Sequence, residues 1–312
     1  MTSLPRLSVV IPLFNEEAVL PELLRQVGAV LAGIPGGPHE MVLVDDGSSD
    51  GTTAQLEAAA ARDPTLVCVI LSRNFGHQAA ISAGLDTANG DVIVVMDGDL
   101  QDAPTAIPAF LAEHAKGYDV VYARRVRRKE GLILRTCYAL FYRLMARLSD
   151  VAVPLDAGDF ALMSRRVVTA IRSSPERKRY LRGLRTWVGF RQVAIDVERG
   201  PRFAGEAKYS TIKLFQLAFD GIFSFSLVPL RLATVLGLFA MVSSLAFVVY
   251  AIYARVMLNT SPEGFTALLV ALVFLSGVQL FFLGVIGEYV GRAYEEAKRR
   301  PLYVVRSLIG RS

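Results

Sequence analysis

Hydrophobic positions in the first half of the chain come as short runs separated by longer amphipathic stretches. Leu7 to Ile11, Met41 to Val44, Val67 to Leu71 and Val92 to Met96 are Val- and Ile-rich and each ends in a polar loop. Between them, Ala18 to Ala32, Thr52 to Arg62 and Gln78 to Ala88 carry helical spacing, and a further apolar strand follows at Asp119 to Tyr122. The alternation predicts a βαβ series, hence an α/β domain on a mainly parallel sheet. In such sheets ligands sit beyond the carboxyl ends of the strands, where the polar loops fall here.

The second half follows a different pattern. Leu232 to Ala254 and Phe265 to Gly287 each run 23 residues without a charge, about 34 Å of helix at 1.5 Å per residue, enough for a hydrocarbon core of roughly 30 Å. Both read as transmembrane helices. Before them, Ile212 to Phe225 mixes Leu214, Phe215, Leu217, Phe219, Ile222 and Phe223 with Lys213, Gln216 and Asp220, a pattern shared by an interfacial membrane helix and an ordinary surface helix. The expected division is a catalytic domain over 1–210, interfacial helices over 211–231, two spans over 232–290 and a basic tail over 291–312.

Composition agrees with a soluble part joined to a membrane part: 53% hydrophobic and 20% charged residues, with a mean hydropathy of +0.40. Disorder, collagen and coiled coil are excluded. Lys and Arg outnumber Asp and Glu by 34 to 29, with the excess in the middle and at the end. That distribution points to anionic partners rather than general basicity; no nucleic-acid partner is expected. The two cysteines are too few for a disulfide framework, as expected in a reducing compartment. Met1 to Arg6 leads straight into a short run broken by Pro12, unlike a secretory signal. The connector between the spans carries only Arg255, whereas the tail holds Arg292, Lys298, Arg299, Arg300, Arg306 and Arg311. Both termini and the catalytic domain are therefore expected on the cytoplasmic face of an inner or plasma membrane. Two spans bury little of their own surface, which points to a homo-oligomer.

Four strand ends bring four polar groups: Pro12-Leu13-Phe14-Asn15-Glu16-Glu17, Asp45-Asp46-Gly47-Ser48-Ser49-Asp50-Gly51, Ser72-Arg73-Asn74-Phe75-Gly76-His77 and Asp97-Gly98-Asp99-Leu100-Gln101-Asp102. One such end is commonly a helix cap; four together mark a site. Asp97 and Asp99 across Gly98, with Gln101 beyond, offer hard oxygen ligands to a divalent cation, Mg or Mn, shared with phosphate oxygens. His77 is as well suited to contact backbone or solvent as to move a proton.

These motifs, with Gly158-Asp159-Phe160 and Gly205-Glu206-Ala207-Lys208-Tyr209, resemble in order and spacing a family 2 glycosyltransferase of the glycosyltransferase-A fold, a Rossmann-like α/β domain. The resemblance is to the polyprenyl-phosphate sugar synthases, which include dolichyl-phosphate mannose synthase and the bactoprenol glucosyl transferases, and runs from about Leu7 to the C-terminus. It implies that Pro12, Phe14, Glu16, Val44, Asp46, Asp97 and Gly98 hold the nucleotide, and that Asp97, Asp99 and Gln101 hold the metal and diphosphate. Arg124, Arg135, Arg202 and Lys208 would bind phosphate or the acceptor. Asp159 stands where such enzymes place a proposed catalytic carboxylate, and Asp99 joins it in the catalytic set. The family usually continues with Arg where this chain has Ala161; Arg165 and Arg166 are the candidates to replace that guanidinium.

The implied reaction is inverting transfer of a hexose, best read as glucose from UDP-glucose, to undecaprenyl or another polyprenyl phosphate. GDP-mannose, UDP-N-acetylglucosamine and UDP-amino-arabinose donors stay open. A processive polysaccharide synthase shares the N-terminal half, but the Gln and Arg pair of its processivity motif is not evident before Trp187. A noncatalytic lipid-binding scaffold is disfavoured by the intact Asp97, Asp99, Asp159 and Lys208.

Overall fold

The computed structural model describes residues 7–125, 157–174, 176, 179–197, 228–257 and 264–310. Those residues fall into two compact units, one holding the sheet, its helices and the chain from Arg300 onward, the other holding two long helices.

Among the described residues the sheet has eight strands: β1 (Leu7–Leu13), β2 (Glu40–Asp45), β3 (Leu66–Leu71), β4 (Val92–Val95), β5 (Val120–Arg125), β6 (Ala157–Ser164), β7 (Gln192–Val197) and β8 (Val305–Ile309). Their order is β7-β5-β6-β4-β1-β2-β3-β8. The first four are mutually parallel, as the alternation predicts. Strand β6 enters antiparallel between β4 and β5, and β8 lies antiparallel along the outer edge of β3. Both are additions to the expected sheet. The tail, read from sequence as a basic extension, therefore carries an edge strand.

Burial on both faces explains why the first strands read as continuous apolar runs: every residue of β1, β2 and β3 is buried. One face is covered by α1 (Leu20–Ala32), which starts with Pro21 in its first turn and turns Leu20, Leu23, Val27 and Leu31 inward. Each such side chain contributes about 1.5–3 kcal/mol on burial, and Leu23→Ala would cost about 2–5 kcal/mol. Helices α2 (Thr52–Ala60) and α4 (Ile107–Ala115) add Leu56, Ile107 and Phe110 to the same cluster. The opposite face is covered by α3 (His77–Thr87), α5 (Arg165–Ser173) and α6 (Leu181–Trp187). Small residues Ala79, Ala80 and Ala83 let α3 lie close on the strands, which fixes His77 at its first turn over the carboxyl ends.

In the second unit, α7 (Val228–Met257) and α8 (Phe265–Ala297) are longer than the apolar segments read from sequence. Among the described residues, one helix, Phe274–Ala297, is long and apolar enough to cross a membrane; the apolar part of α7, Ala233–Phe247, is shorter. Large apolar side chains such as Phe239, Leu245, Phe274 and Leu280 are exposed, as a lipid-facing surface requires.

Candidate active site

The register of β4 against β6 builds the centre of the site. Val95 lies opposite Ala161 in this antiparallel pair, so two residues onward from Val95 and two residues back from Ala161 Asp97 arrives beside Asp159. His77, from α3, stands over both: its Nε2 lies 3.4 Å from Asp97 Oδ1 and 3.6 Å from Asp159 Oδ2. One ligand atom from each of these three residues lies within 4.8 Å of the others. His77, set aside from sequence, is thus part of the constellation. Burial opposes charge on its ring, but the two carboxylates outweigh that and raise its pKa.

Asp159 is held from the other side by α6. Arg182 Nε and Nη2 donate to its Oδ1 and Oδ2 at 2.8 and 2.7 Å, a bidentate pair. Burial works against ionisation of Asp159, yet Arg182 and His77 hold its carboxyl far below the usual range. Asp97 goes the opposite way. Burial first, then the negative charge of Asp159, pushes it up to about 6, and no hydrogen bond reaches its buried Oδ1. An under-neutralised carboxylate beside a histidine and a second carboxylate is a donor set that fits a divalent cation.

The motif around Asp97 is fixed by close packing. A Cβ on Gly98 would stand 2.5 Å from Leu13 Cδ2 and 3.2 Å from the Pro12 carbonyl, so the absence of a side chain lets this loop lie against the end of β1. Asp99 is buried and accepts the Gln101 N–H at 3.2 Å, while Leu100 takes a positive φ of 55°. That bond shapes the turn and leaves Asp99 other lone pairs for the cation expected there; among the described residues, Asp97, Asp159 and His77 form a group whose ligand atoms lie close enough together to hold a metal ion.

The expected nucleotide residues gather at the ends of β1 and β2. Asn15 N–H donates to Ser48 Oγ, Glu16 N–H to Thr52 Oγ1 and Ser49 N–H to Asn15 Oδ1, lacing the loops that carry Pro12, Phe14 and Glu16 to the loop after Asp46. Val44 is fully buried among the α3-face core residues, so only its backbone can meet a ligand. Asp46 accepts N–H groups of Phe75 at 2.7 Å and Gly76 at 2.9 Å, and burial raises its pKa against those two bonds. It ties the second loop to the third. Gly47, at φ 69°, lets that loop touch the backbone of Arg73.

Arg124, expected to face phosphate, donates from Nε to Asp196 Oδ1 on β7 at 2.6 Å and is more than half exposed. Arg135, Arg202 and Lys208 lie outside the described residues, as does the 212–225 helix. The candidates to replace the guanidinium missing at Ala161 do not do so. Arg165 donates to the carbonyls of Ala88 and Gly90, and Arg166 to Asp119, at the opposite end of the sheet. The guanidinium groups beside Asp159 come from Arg182 and Arg185 on α6, which sequence reasoning missed. The one available signal was the paired arginines before Trp187.

Comparison with known proteins identifies the family. Residues 8–172 match the Glycosyl transferase family 2 model and 228–293 the GtrB C-terminal hairpin. The bactoprenol glucosyl transferase of Shigella phage SfV is 38% identical over 303 residues, covering 97% of this chain and 98% of that protein. A prophage bactoprenol glucosyl transferase homolog of Escherichia coli K12 is 38% identical over 304 residues, 96% of this chain and 98% of its own length. Among solved structures, glucosyl-3-phosphoglycerate synthase from Mycobacterium tuberculosis, in complex with Mn2+, UDP and phosphoglyceric acid, superposes with a TM-score of 0.51 at 18% identity, over 70% of this chain and 76% of that one. That likeness concerns the fold alone. The chain belongs to glycosyl transferase family 2, carries the GtrB C-terminal hairpin, and is a glycosyltransferase.

Proposed function

We propose that the protein transfers a hexose, glucose from UDP-glucose, to the phosphate of a membrane polyprenol, giving a polyprenyl phosphosugar and UDP. The carrying observation is the Asp97, Asp159 and His77 cluster at the strand carboxyl ends, in a chain aligned over nearly all its length with bactoprenol glucosyl transferases. The donor would lie over the ends of β1, β2 and β4, its nucleotide against Phe14, Glu16 and the Asp46 loop and its diphosphate toward Asp97 and Gly98. Asp97, with His77 and Asp159 at hand and Asp99 and Gln101 shaping the turn, would hold the divalent cation. When bound, that ion neutralises charge on the leaving diphosphate.

Attack by the acceptor needs little help in losing a proton. A phosphate monoester has a second pKa of about 6, so its oxygen is already largely anionic at neutral pH. Asp159, forked by Arg182, is suited to hold position and charge around the anomeric centre. Inversion would follow from attack on the face opposite the diphosphate. A cytoplasmic site with two membrane crossings is supported by β8: the chain beyond α8 returns to the same sheet that precedes α7, and an even number of crossings satisfies that connection.

The test is a panel of radiolabelled sugar nucleotides offered to the purified protein with undecaprenyl phosphate and Mg or Mn, followed by extraction of lipid. UDP-glucose should label the lipid phase, and excess EDTA should abolish the signal. Label from another donor alone would replace glucose; activity unchanged in chelator would remove the metal from the reading.

A further inference from the structure

Arg185 is a buried charge whose hydrogen-bonding edge is left open. It is 3% exposed, and its Nε and Nη2 find no hydrogen-bond partner. Only Nη1 approaches an acceptor, the Gly158 carbonyl at 3.4 Å, while the guanidinium lies 5.0 Å from the Tyr122 ring centroid. Burial pulls its pKa down to about 10, still far above neutrality, so the group stays cationic. A buried guanidinium left unpaired is costly. The unpaired atoms are also a particular pair: Nε and Nη2 form the side-on edge that meets two oxygens of a carboxylate or phosphate in parallel. Arg182, one helical turn earlier, uses that same edge to grip Asp159.

The two arginines line a partly open cavity of about 20 Å³, walled otherwise by Asp159 and the apolar Ile81, Val95 and Met163. Such a space takes about one oxygen-sized group. An anion would place one oxygen there, accepting from both Nε and Nη2 of Arg185, and leave the rest of the group outside, toward Arg182, which is 29% exposed. The charge of Asp159 favours the Arg185 cation, but no Asp159 oxygen hydrogen-bonds to Nε or Nη2.

We propose that Arg185 is an oxyanion receptor, binding through Nε and Nη2 a phosphate group that enters beside Asp159. The phosphate chemistry is common to the lipid monoester and to the donor diphosphate, and the identification of these two as sources rests on the function proposed above. The site adds to the cation-binding carboxylates a cationic wall on the opposite side of Asp159, so that a phosphate approaching the reacting centre meets a preorganised fork.

The experiment compares wild type, Arg185→Met and Arg185→Lys by thermal melting and by binding of three probes: inorganic phosphate, undecaprenyl phosphate in detergent micelles, and UDP with Mn2+. Arg185→Met removes an unpaired buried charge, so its melting temperature should equal or exceed that of wild type. Its affinity for one phosphate probe should fall about tenfold or more, with Arg185→Lys between. Loss confined to the lipid phosphate assigns the site to the acceptor; loss confined to UDP assigns it to the donor. Unchanged affinity for all three probes overturns the proposal. So does a collapse of melting temperature in Arg185→Met, with wild type gaining no thermal protection from phosphate, which would make Arg185 a structural residue. If wild type binds lipid phosphate through Arg185 yet transfers no sugar, the receptor stands and the proposed reaction fails.

Discussion

At the amino ends of the strands, Ser8 Oγ donates to Glu40 Oε1 at 2.6 Å and accepts the Gly90 N–H at 2.7 Å, while the Asn89 N–H also reaches Glu40 Oε1. Asp119 there takes Ser164 and Arg166, and Arg165 caps the carbonyls of Ala88 and Gly90. At the carboxyl ends the same sheet half-buries Asp97, whose Oδ1 accepts no hydrogen bond, and buries Arg185, whose Nε and Nη2 donate none. Both ends remove charge from water, but only one satisfies it internally. Unsatisfied buried polar atoms cost stability; the amino end holds one, His39 Nδ1 just before β2, whereas the charged groups Asp97 and Arg185 lie at the end where ligands bind to parallel sheets, which is why their partners are proposed to arrive with substrate.

The sharpest way to break that contrast is to neutralise the two carboxylates of the carboxyl end in turn. Asp159→Asn should lower transfer about a hundredfold to ten-thousandfold with donor binding nearly intact. Asp97→Asn should lose transfer on a similar scale together with metal-dependent nucleotide binding. Neither should unfold the protein. Steady-state rates beside nucleotide affinity decide this; unchanged turnover in Asp159→Asn would take it out of the catalytic set.

A second test uses pH. Asp97 is raised from 3.8 to about 6, so the native state holds this proton more tightly than the unfolded chain. Its charge therefore costs nothing below about pH 4 and about 3 kcal/mol once pH passes 6. Asp159, with its pKa depressed, contributes stability above about pH 4 and loses it only in stronger acid. His77, raised from 6.5, keeps its contribution below that value and loses it as pH climbs past its native pKa. Asp46, also raised by burial, adds a fall of the same sign above about pH 4, so the Asp97 share of the slope between about pH 4 and 6 is the part that Asp97→Asn removes. Melts in EDTA should show stability falling across this window in wild type and a flatter line in Asp97→Asn; a slope shared by both would assign it elsewhere.

The smallest effect is expected at the amino end. Ser8→Ala should cost about 1–3 kcal/mol, because it strips a donor from buried Glu40 and an acceptor from Gly90. Turnover per folded molecule should hold. A large loss of turnover without loss of stability would erase the distinction between the two ends.

Much of this was legible in sequence because local pattern determines it. Buried parallel strands read as apolar runs, and their polar ends mark the loops that carry Phe14, Asp46, His77 and Asp97. What sequence concealed depends on register. Asp159 meets Asp97 only because β6 inserts antiparallel beside β4, and Arg182 reaches Asp159 from a seven-residue helix 23 positions away. A lone His in a polar loop gives no sign of the two carboxylates that flank it. Val305–Ile309 reads as part of a basic tail until Tyr303 Oη donates to Asp86 and the Ser72 N–H donates to the Val304 carbonyl, which seat it on β3.

The central claim is that the unpaired carboxylate end of the sheet is the metal-assisted donor site. Calorimetric titration of UDP into wild type, Asp97→Asn and Ser8→Ala, each with Mn2+ and with EDTA, tests it most directly. The account predicts binding that requires the cation in wild type and Ser8→Ala and is largely lost in Asp97→Asn. UDP binding equally well to all three proteins, with or without the metal, would contradict it.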